Sequence, residues 1–374
     1  MSEPLHRLFQ AAESIDASDI HLSVGEPAFL RVGGKLVSAK TEPLTEQSIL
    51  DLLGPTLNQD RRDEYDRQGY VDFAYETPLT IAPGQTKAIR YRMHLYRCRG
   101  HLTAALRRIK LDIPTFEQLF LPPVYEKAIT LRPKGIIIIG GETGSGKSTS
   151  LAAMLNYINQ REQKHIVTIE DPIEFVLQNK KCKINQRELG QDFATFPAAL
   201  RAVVREDPDI ILIGELRDSE SVRAAVAAAE TGHLVLTSLH TASAPEALNR
   251  ILYFFPPHEE EAVRHNLANT LIAIMNQMLI PANDKFAKEH GVRRVPATEV
   301  LLSTPVVKEF LRDKERESGL TDLISNEKDC DWESSHDFNF SLKRLVMNST
   351  VEFDTALRAS LRPEALRMTL KGLR

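Results

Sequence analysis

Residues 135–150 read GIIIIGGETGSGKSTS. Ile136–Ile139 form a β-branched run with no polar alternation, which suits a strand buried on both faces of a parallel sheet. The glycines that follow cannot continue the strand; they let the backbone turn sharply and bring N–H groups close to a ligand. Beyond them Leu151, Met154, Leu155 and Ile158 recur at helical spacing, so the segment reads as strand, glycine loop, helix. The pattern G-x-x-x-x-G-K-[ST] is met at Gly141, Gly146, Lys147 and Ser148. A phosphate bound here would rest on backbone N–H groups at a helix N-terminus, where the dipole favours an anion. The expected nucleotide-binding set is Gly141, Glu142, Thr143, Gly144, Ser145, Gly146, Lys147, Ser148 and Thr149. Lys147 would reach the β- and γ-phosphates of ATP, and Ser148 would ligate Mg²⁺. A chance glycine turn is the alternative, and the flanking strand and helix count against it.

The 374 residues suffice for about two or three domains. A chain 42% hydrophobic and 26% charged is ordinary for a globular protein. Its net charge of −4 gives no global basic field for DNA or acidic lipid. The apolar runs are too short to span a membrane and the N-terminus MSEPLHRLFQAAESID has no signal-peptide architecture, so a cytoplasmic location is expected. Cys98, Cys182 and Cys330 fit no zinc spacing and are expected to be reduced and structural, with no zinc bound.

Residues 1–110 differ in character from the rest. SDIHLSVGEPAFLRVGGKLVSA reads as short strands broken by Gly-Glu-Pro and Gly-Gly turns, and TEQSILDLLGPTL and QDRRDEYDRQG read as helices. In AIRYRMHLYRCRG, Ile89, Tyr91, Met93 and Leu95 alternate with Arg90, Arg92 and His94, and HLTAALRRIKL supplies a partner strand. This is a small α+β domain. The proline-bearing stretch 111–123 reads as the connection to a second domain, 124–374, where strands and helices alternate as in a parallel α/β sheet. No internal repeat is visible. After VPATEVLLSTP the chain turns helical, and RDKERESG and NEKDCDWESSHD read as solvated surface.

Ligands of open α/β sheets bind at the carboxyl ends of the strands. Besides the glycine loop, three strand-like segments end in polar groups: KHIVTIED at Glu170 and Asp171, DPDIILIGELRD at Glu215 with Arg217 and Asp218 beyond, and TGHLVLTSLHT at His240. Taken singly, an acid at a strand end is as well read as a solvated terminus or a helix cap. Together they supply what nucleotide hydrolysis needs: carboxylates to orient water and to hold the metal through its water shell, and a His to bond the γ-phosphate or a carboxylate. His233 would lie at the other end of its strand and serve packing or a subunit contact.

The motifs GETGSGKST, TIEDPIEF, NQRELGQD, REDPDIILIGELRD and AAETGHLVLTSLHT closely resemble the secretion-superfamily motor ATPases, in particular the PilT/PilU type that retracts type IV pili. ASDIHLSVGEPAFLRVGGKL and RYRMHLYR…LRRI extend the resemblance over about residues 10–310. It implies a PAS-like N-terminal domain, a RecA-like phosphate-loop domain and a hexameric ring. It implies that Glu170 activates water, that Glu215 serves the Mg²⁺ through water, and that His240 senses phosphate. Arg92 and Arg107 lie in segments that supply the arginines closing over the nucleotide; a salt-bridged sheet surface is the other reading of them. The implied partners are further copies of the chain and an inner-membrane pilus platform protein at the cytoplasmic face, with a second retraction ATPase as a further candidate. Two departures stand out. Glu142 occupies a position where the family usually has Pro or Ala, and VVKEFLRD, Val306–Asp313, replaces the retraction signature AIRNLIRE.

Three other functions compete. Assembly-type and type II secretion ATPases of the superfamily commonly carry a longer N-terminal region and a four-cysteine zinc module, unlike this sequence. A nucleic-acid translocase would show a basic, aromatic-rich stripe. An inactive ring would not need Lys147, Glu170 and Glu215.

Overall fold

The computed structural model describes residues 3–82, 85–109, 112–313, 319–325 and 331–371. Cys330, the 110/111 boundary and parts of the two charged stretches lie outside them. The chain divides into two units, Met1–Asp112 with Glu174–Val176, and Ile113–Ile173 with Leu177–Arg374.

The first unit is an antiparallel sheet with helices. Its strands are β1 (Asp19–Leu22), β2 (Phe29–Val32), β3 (Lys35–Ser38), β4 (Tyr70–Ala82), β5 (Gln85–Cys98) and β6 (His101–Ile109), in spatial order β3-β2-β1-β6-β5-β4. The Gly-Gly turn joins β2 to β3, with Gly33 and Gly34 at φ 56° and 84°, a region side chains disfavour. The alternation in β5 is real: Ile89, Tyr91, Met93 and Leu95 are buried, and Arg92 is exposed. Helix Glu3–Ser14, which the sequence reading did not single out, buries Leu5, Phe9 and Ala12, and the Phe9 ring stacks on Tyr91 at 4.4 Å. The two expected helices form at Glu46–Leu53 and Gln59–Gln68. The Thr45 hydroxyl caps the first and the Asn58 amide oxygen the second.

The second unit is a doubly covered sheet. Its strands are β7 (Gly135–Gly140), β8 (His165–Glu170), β9 (Lys183–Glu188), β10 (Ile210–Ile213), β11 (Leu234–Leu239), β12 (Leu271–Pro281) and β13 (Arg294–Leu302). The order is β13-β12-β7-β11-β10-β8-β9, parallel throughout except for the antiparallel edge strand β13. The isoleucine run splits between the two faces: Ile136 and Ile138 pack into one core, Ile137 and Ile139 into the other. Each buried isoleucine contributes about 2 kcal/mol of transfer free energy. Phe116 and Leu121, from the stretch read as the connection, are buried in the second of these cores, so 113–123 is packed chain rather than bare linker. Cys98 is exposed and Cys182 buried, both free.

A further core forms where helices Phe338–Met347, Phe353–Ala359 and Pro363–Lys371 cover Ile280, Val295 and Ala297 of the β12–β13 hairpin. His336 pins this layer to β13. Its main chain exchanges hydrogen bonds with Val300 at 2.8 and 2.9 Å. Its Nε2 accepts from the Thr298 hydroxyl at 3.0 Å, and its Nδ1 donates to the carbonyls of Asp331 and Ser334 at 3.2 and 3.0 Å. Burial disfavours the charged ring and holds the pKa down at about 4, although the two carbonyls at Nδ1 act against it. The unfolded chain takes up this proton near pH 6.5, roughly. The stabilisation is therefore full above that pH and is lost as pH falls towards 4. Glu299 acts with the opposite sign: burial pushes its carboxyl up to about 7, and its contribution is lost as pH rises through that value. Comparison of wild type with His336→Gln isolates the histidine. The variant is expected to melt lower at pH 7.5 but to lose less between pH 6.5 and 4; parallel melting curves across that window would remove His336 from the account.

Candidate active site

The glycine loop leaves the sheet where β7 ends. Gly141, Gly144 and Gly146 have φ of 146°, 81° and 92°. Helix Lys147–Arg161 starts directly after Gly146, which has no side chain to cap it, so nothing from the cap residue competes for the first-turn N–H groups. An anion is the partner such a terminus favours. Lys147 is buried at 8% exposure, and its Nζ donates to the carbonyls of Gly141 at 2.7 Å and Glu142 at 3.1 Å. Glu142, Thr143 and Gly144 form the exposed arc of the loop; Ser148 and Thr149 follow it, half-buried.

The neighbouring strands β11, β10 and β8 end on the same side of the sheet. Registers Leu239↔Gly140, Thr237↔Ile213 and Ile169↔Ile213 bring His240, Glu215 and Glu170 to one edge. Glu215 accepts from Arg217 Nε at 2.9 Å, and its other oxygen lies 3.4 Å from His240 Nε2. Arg217 also donates to Asp171 at 3.0 Å, so Asp171, Arg217, Glu215 and His240 form a continuous polar chain. Glu170 accepts from the Thr168 hydroxyl at 2.6 Å and from Gln186 Nε2 at 3.1 Å. A cleft of about 500 Å³ is walled by Glu142 and Thr143 from the loop, His240–Ala242 after β11, and Glu246. Loop and histidine thus share one cavity. Asp218 took the structural alternative: it caps helix Ser219–Glu230 by accepting from Ser221 N. His233 Nδ1 bonds the Ala228 carbonyl at 2.8 Å at the far end of β11, a packing contact.

Arg92 and Arg107 lie in the first unit and are cross-strand partners on β5 and β6. Arg107 donates to Asp19 at 2.9 Å and Arg92 lies 3.8 Å from Asp72. Burial alone would push the Asp19 carboxyl up, but hydrogen bonds from Arg107 and Ser18 and the charges of Arg107 and Arg31 bring it below the usual carboxylate range. Within this unit the arginines form a salt-bridged surface, from which the Arg107 side chain is 75% exposed.

Sequence reasoning missed two amides on β12, Asn276 and Gln277, both buried. Asn276 pairs in register with Gly140, where any Cβ would collide with its amide oxygen. It also lies 3.5 Å from both Thr241 Oγ1 and Glu299 Oε1. Two consecutive polar residues within LIAIMNQMLIP were the available signal, since buried amides are costly unless they are bonded.

Backbone donors on a glycine loop at the carboxyl edge of a parallel sheet are the means by which phosphate-loop enzymes hold nucleotides, and this chain is such a nucleotide-using ATPase. It belongs to the type II/IV secretion system protein family, whose model matches residues 116–363. It is 39% identical to the type IV pilus retraction ATPase PilT of Pseudomonas aeruginosa, over 79% of this chain and 82% of that one. It is 36% identical to the type IV pilus ATPase PilU of the same organism, over 95% of this chain and 88% of the relative. The crystal structure of the pilus retraction motor PilT with bound ADP superposes with a TM-score of 0.85, at 36% identity, covering 97% of this chain and 98% of that one.

Proposed function

We propose that this chain is the motor ATPase of a type IV pilus retraction machine, coupling ATP hydrolysis to domain closure and so to twitching motility. The observation that carries this reading is the similarity, over nearly the whole of both chains, to the ADP-bound retraction motor. Lys147 and the loop N–H groups balance the phosphate charge. The Ser148 hydroxyl and, through water, Glu215 would hold Mg²⁺ with oxygen donors of the kind this hard cation takes, and the ion would supply positive charge to the phosphates. Glu170 orients the attacking water in line with the γ-phosphate, and His240 senses whether that phosphate is intact. Arg92 and Arg107 are the arginines whose charge serves the nucleotide. The chain works as a homohexamer at the cytoplasmic face of the inner membrane, against the pilus platform protein and alongside a second retraction ATPase. Among the described residues no helix is long and apolar enough to cross a membrane.

Deletion of the gene in a piliated host is expected to leave more surface pili and to abolish twitching. A bald strain would favour an assembly-type motor, and unchanged piliation an accessory, PilU-like role. Counting pili by electron microscopy separates the three.

A further inference from the structure

Gln277 lies in β12 at 3% exposure, among apolar neighbours. Its amide is satisfied by groups from three other elements. Nε2 donates to the carbonyl of Ser145 in the loop at 2.8 Å. Oε1 accepts from the Ser150 hydroxyl, in the first turn of the following helix, at 2.9 Å. The same oxygen accepts from the Tyr125 hydroxyl of helix Val124–Leu131 at 3.3 Å. A carbonyl can only accept, so the nitrogen of the amide must face Ser145. The main chain of Gln277 meets the other end of the loop: a Cβ at Gly141 would come within 2.5 Å of its carbonyl oxygen. One residue of β12 therefore grips the loop at both ends of its exposed arc, Glu142–Gly144.

We propose that Gln277 is the positioning residue of the phosphate loop, aiming the Gly146 N–H at the bound phosphate. The reason is the planarity of the peptide bond. The carbonyl of Ser145 and the N–H of Gly146 belong to one trans peptide and point in opposite directions. Holding that carbonyl inward on Gln277 turns the N–H outward, toward the solvent side of the loop. The Ser150 bond ties the first helical turn to the same amide, so loop and helix move as one piece. Tyr125 supports the arrangement at any ordinary pH, because burial raises its hydroxyl pKa and keeps the donor proton in place. Asn276, one residue earlier, faces Gly140 and Thr241 instead; adjacent strand residues point to opposite faces, and only Gln277 reaches Ser145.

The inference rests on the loop being the nucleotide site, and the test separates the two. Binding of Mg-ADP and of pyrophosphate to the full chain is measured by calorimetry for wild type, Lys147→Ala, Gln277→Met and Gln277→Glu. Wild-type binding that Lys147→Ala weakens far more than Gln277→Met does secures the site itself. Gln277→Met fills the space without a donor and is expected to weaken both ligands about tenfold, the scale of one lost hydrogen bond. The loss should be equal for the two ligands, because the contact is to phosphate. In turnover it should raise KM for ATP and leave kcat within a few-fold, the pattern of lost uniform binding. Gln277→Glu turns an acceptor toward the Ser145 carbonyl. It should bind weakly at pH 8 and recover at pH 6 relative to wild type, as a proton on the buried carboxyl restores the donor. A purely structural glutamine would lower the melting temperature and show none of this. If the folded variants bind both ligands within twofold of wild type at both pH values, Gln277 does not position the loop.

Discussion

Lys147→Ala is expected to lower ATP hydrolysis at least about 10³-fold, to the limit of a phosphate-release assay. The lysine is the cation that the loop itself encloses: it is buried, and the carbonyls of Gly141 and Glu142 hold its ammonium. Alanine keeps the helix, because it is the best helix former and Gly146 still starts the first turn. The N–H groups remain, so weak phosphate affinity survives. The charge that offsets the β- and γ-phosphates does not, and that charge matters most as it builds in the transition state. Unaltered melting with no turnover is the expected pair of results. Hydrolysis at the wild-type rate would show that this loop is not the catalytic one.

Glu215→Gln is expected to bind Mg-ATP with affinity close to wild type and to turn it over about 10²–10³ times more slowly. The carboxylate sits between Arg217 at 2.9 Å and His240 at 3.4 Å. The amide keeps the size and can still accept from Arg217, so the polar edge should hold its shape. It would carry no charge for the metal's water shell under the role proposed for Glu215. The loss should therefore fall on kcat rather than on KM. A fall in affinity with kcat unchanged would instead make Glu215 a binding residue. Arg107→Ala belongs in the same assay, with melting measured beside it: the arginine is three-quarters exposed but its partner Asp19 is buried and keeps only Ser18 and Arg31, so a large loss of turnover in a variant that still melts like wild type would report a role beyond that pair.

Local chemistry was enough to read much of this molecule. The isoleucine run, the glycine loop and the helix after it obey short-range rules of sterics and hydrogen bonding, and they lie where those rules put them. The strands ending at Glu170, Glu215 and His240 were legible for the same reason, as was the alternation of β5. Helix Glu3–Ser14 was legible in principle, since Leu5, Phe9 and Ala12 recur at helical spacing, but a short N-terminal segment gains its order only by packing on the sheet.

The tertiary structure alone decided which partners the polar groups have. Nothing in DPDIILIGELRD says that Arg217 reaches back to Asp171, 46 residues earlier, or that Asp218 spends its carboxylate on a helix cap. The sequence likewise leaves open that Asn276 and Gln277 lie against a loop some 130 residues away. Strand order is the cause. The β12–β7 pairing sets Asn276 beside Gly140 and puts the next residue at the loop, and that pairing is fixed by burial on both faces of the sheet rather than by any local motif. Sequence pattern thus determined the elements and the chemistry at their ends. Long-range packing determined which of those ends meet, because a hydrogen bond depends on ångströms in space and not on distance along the chain.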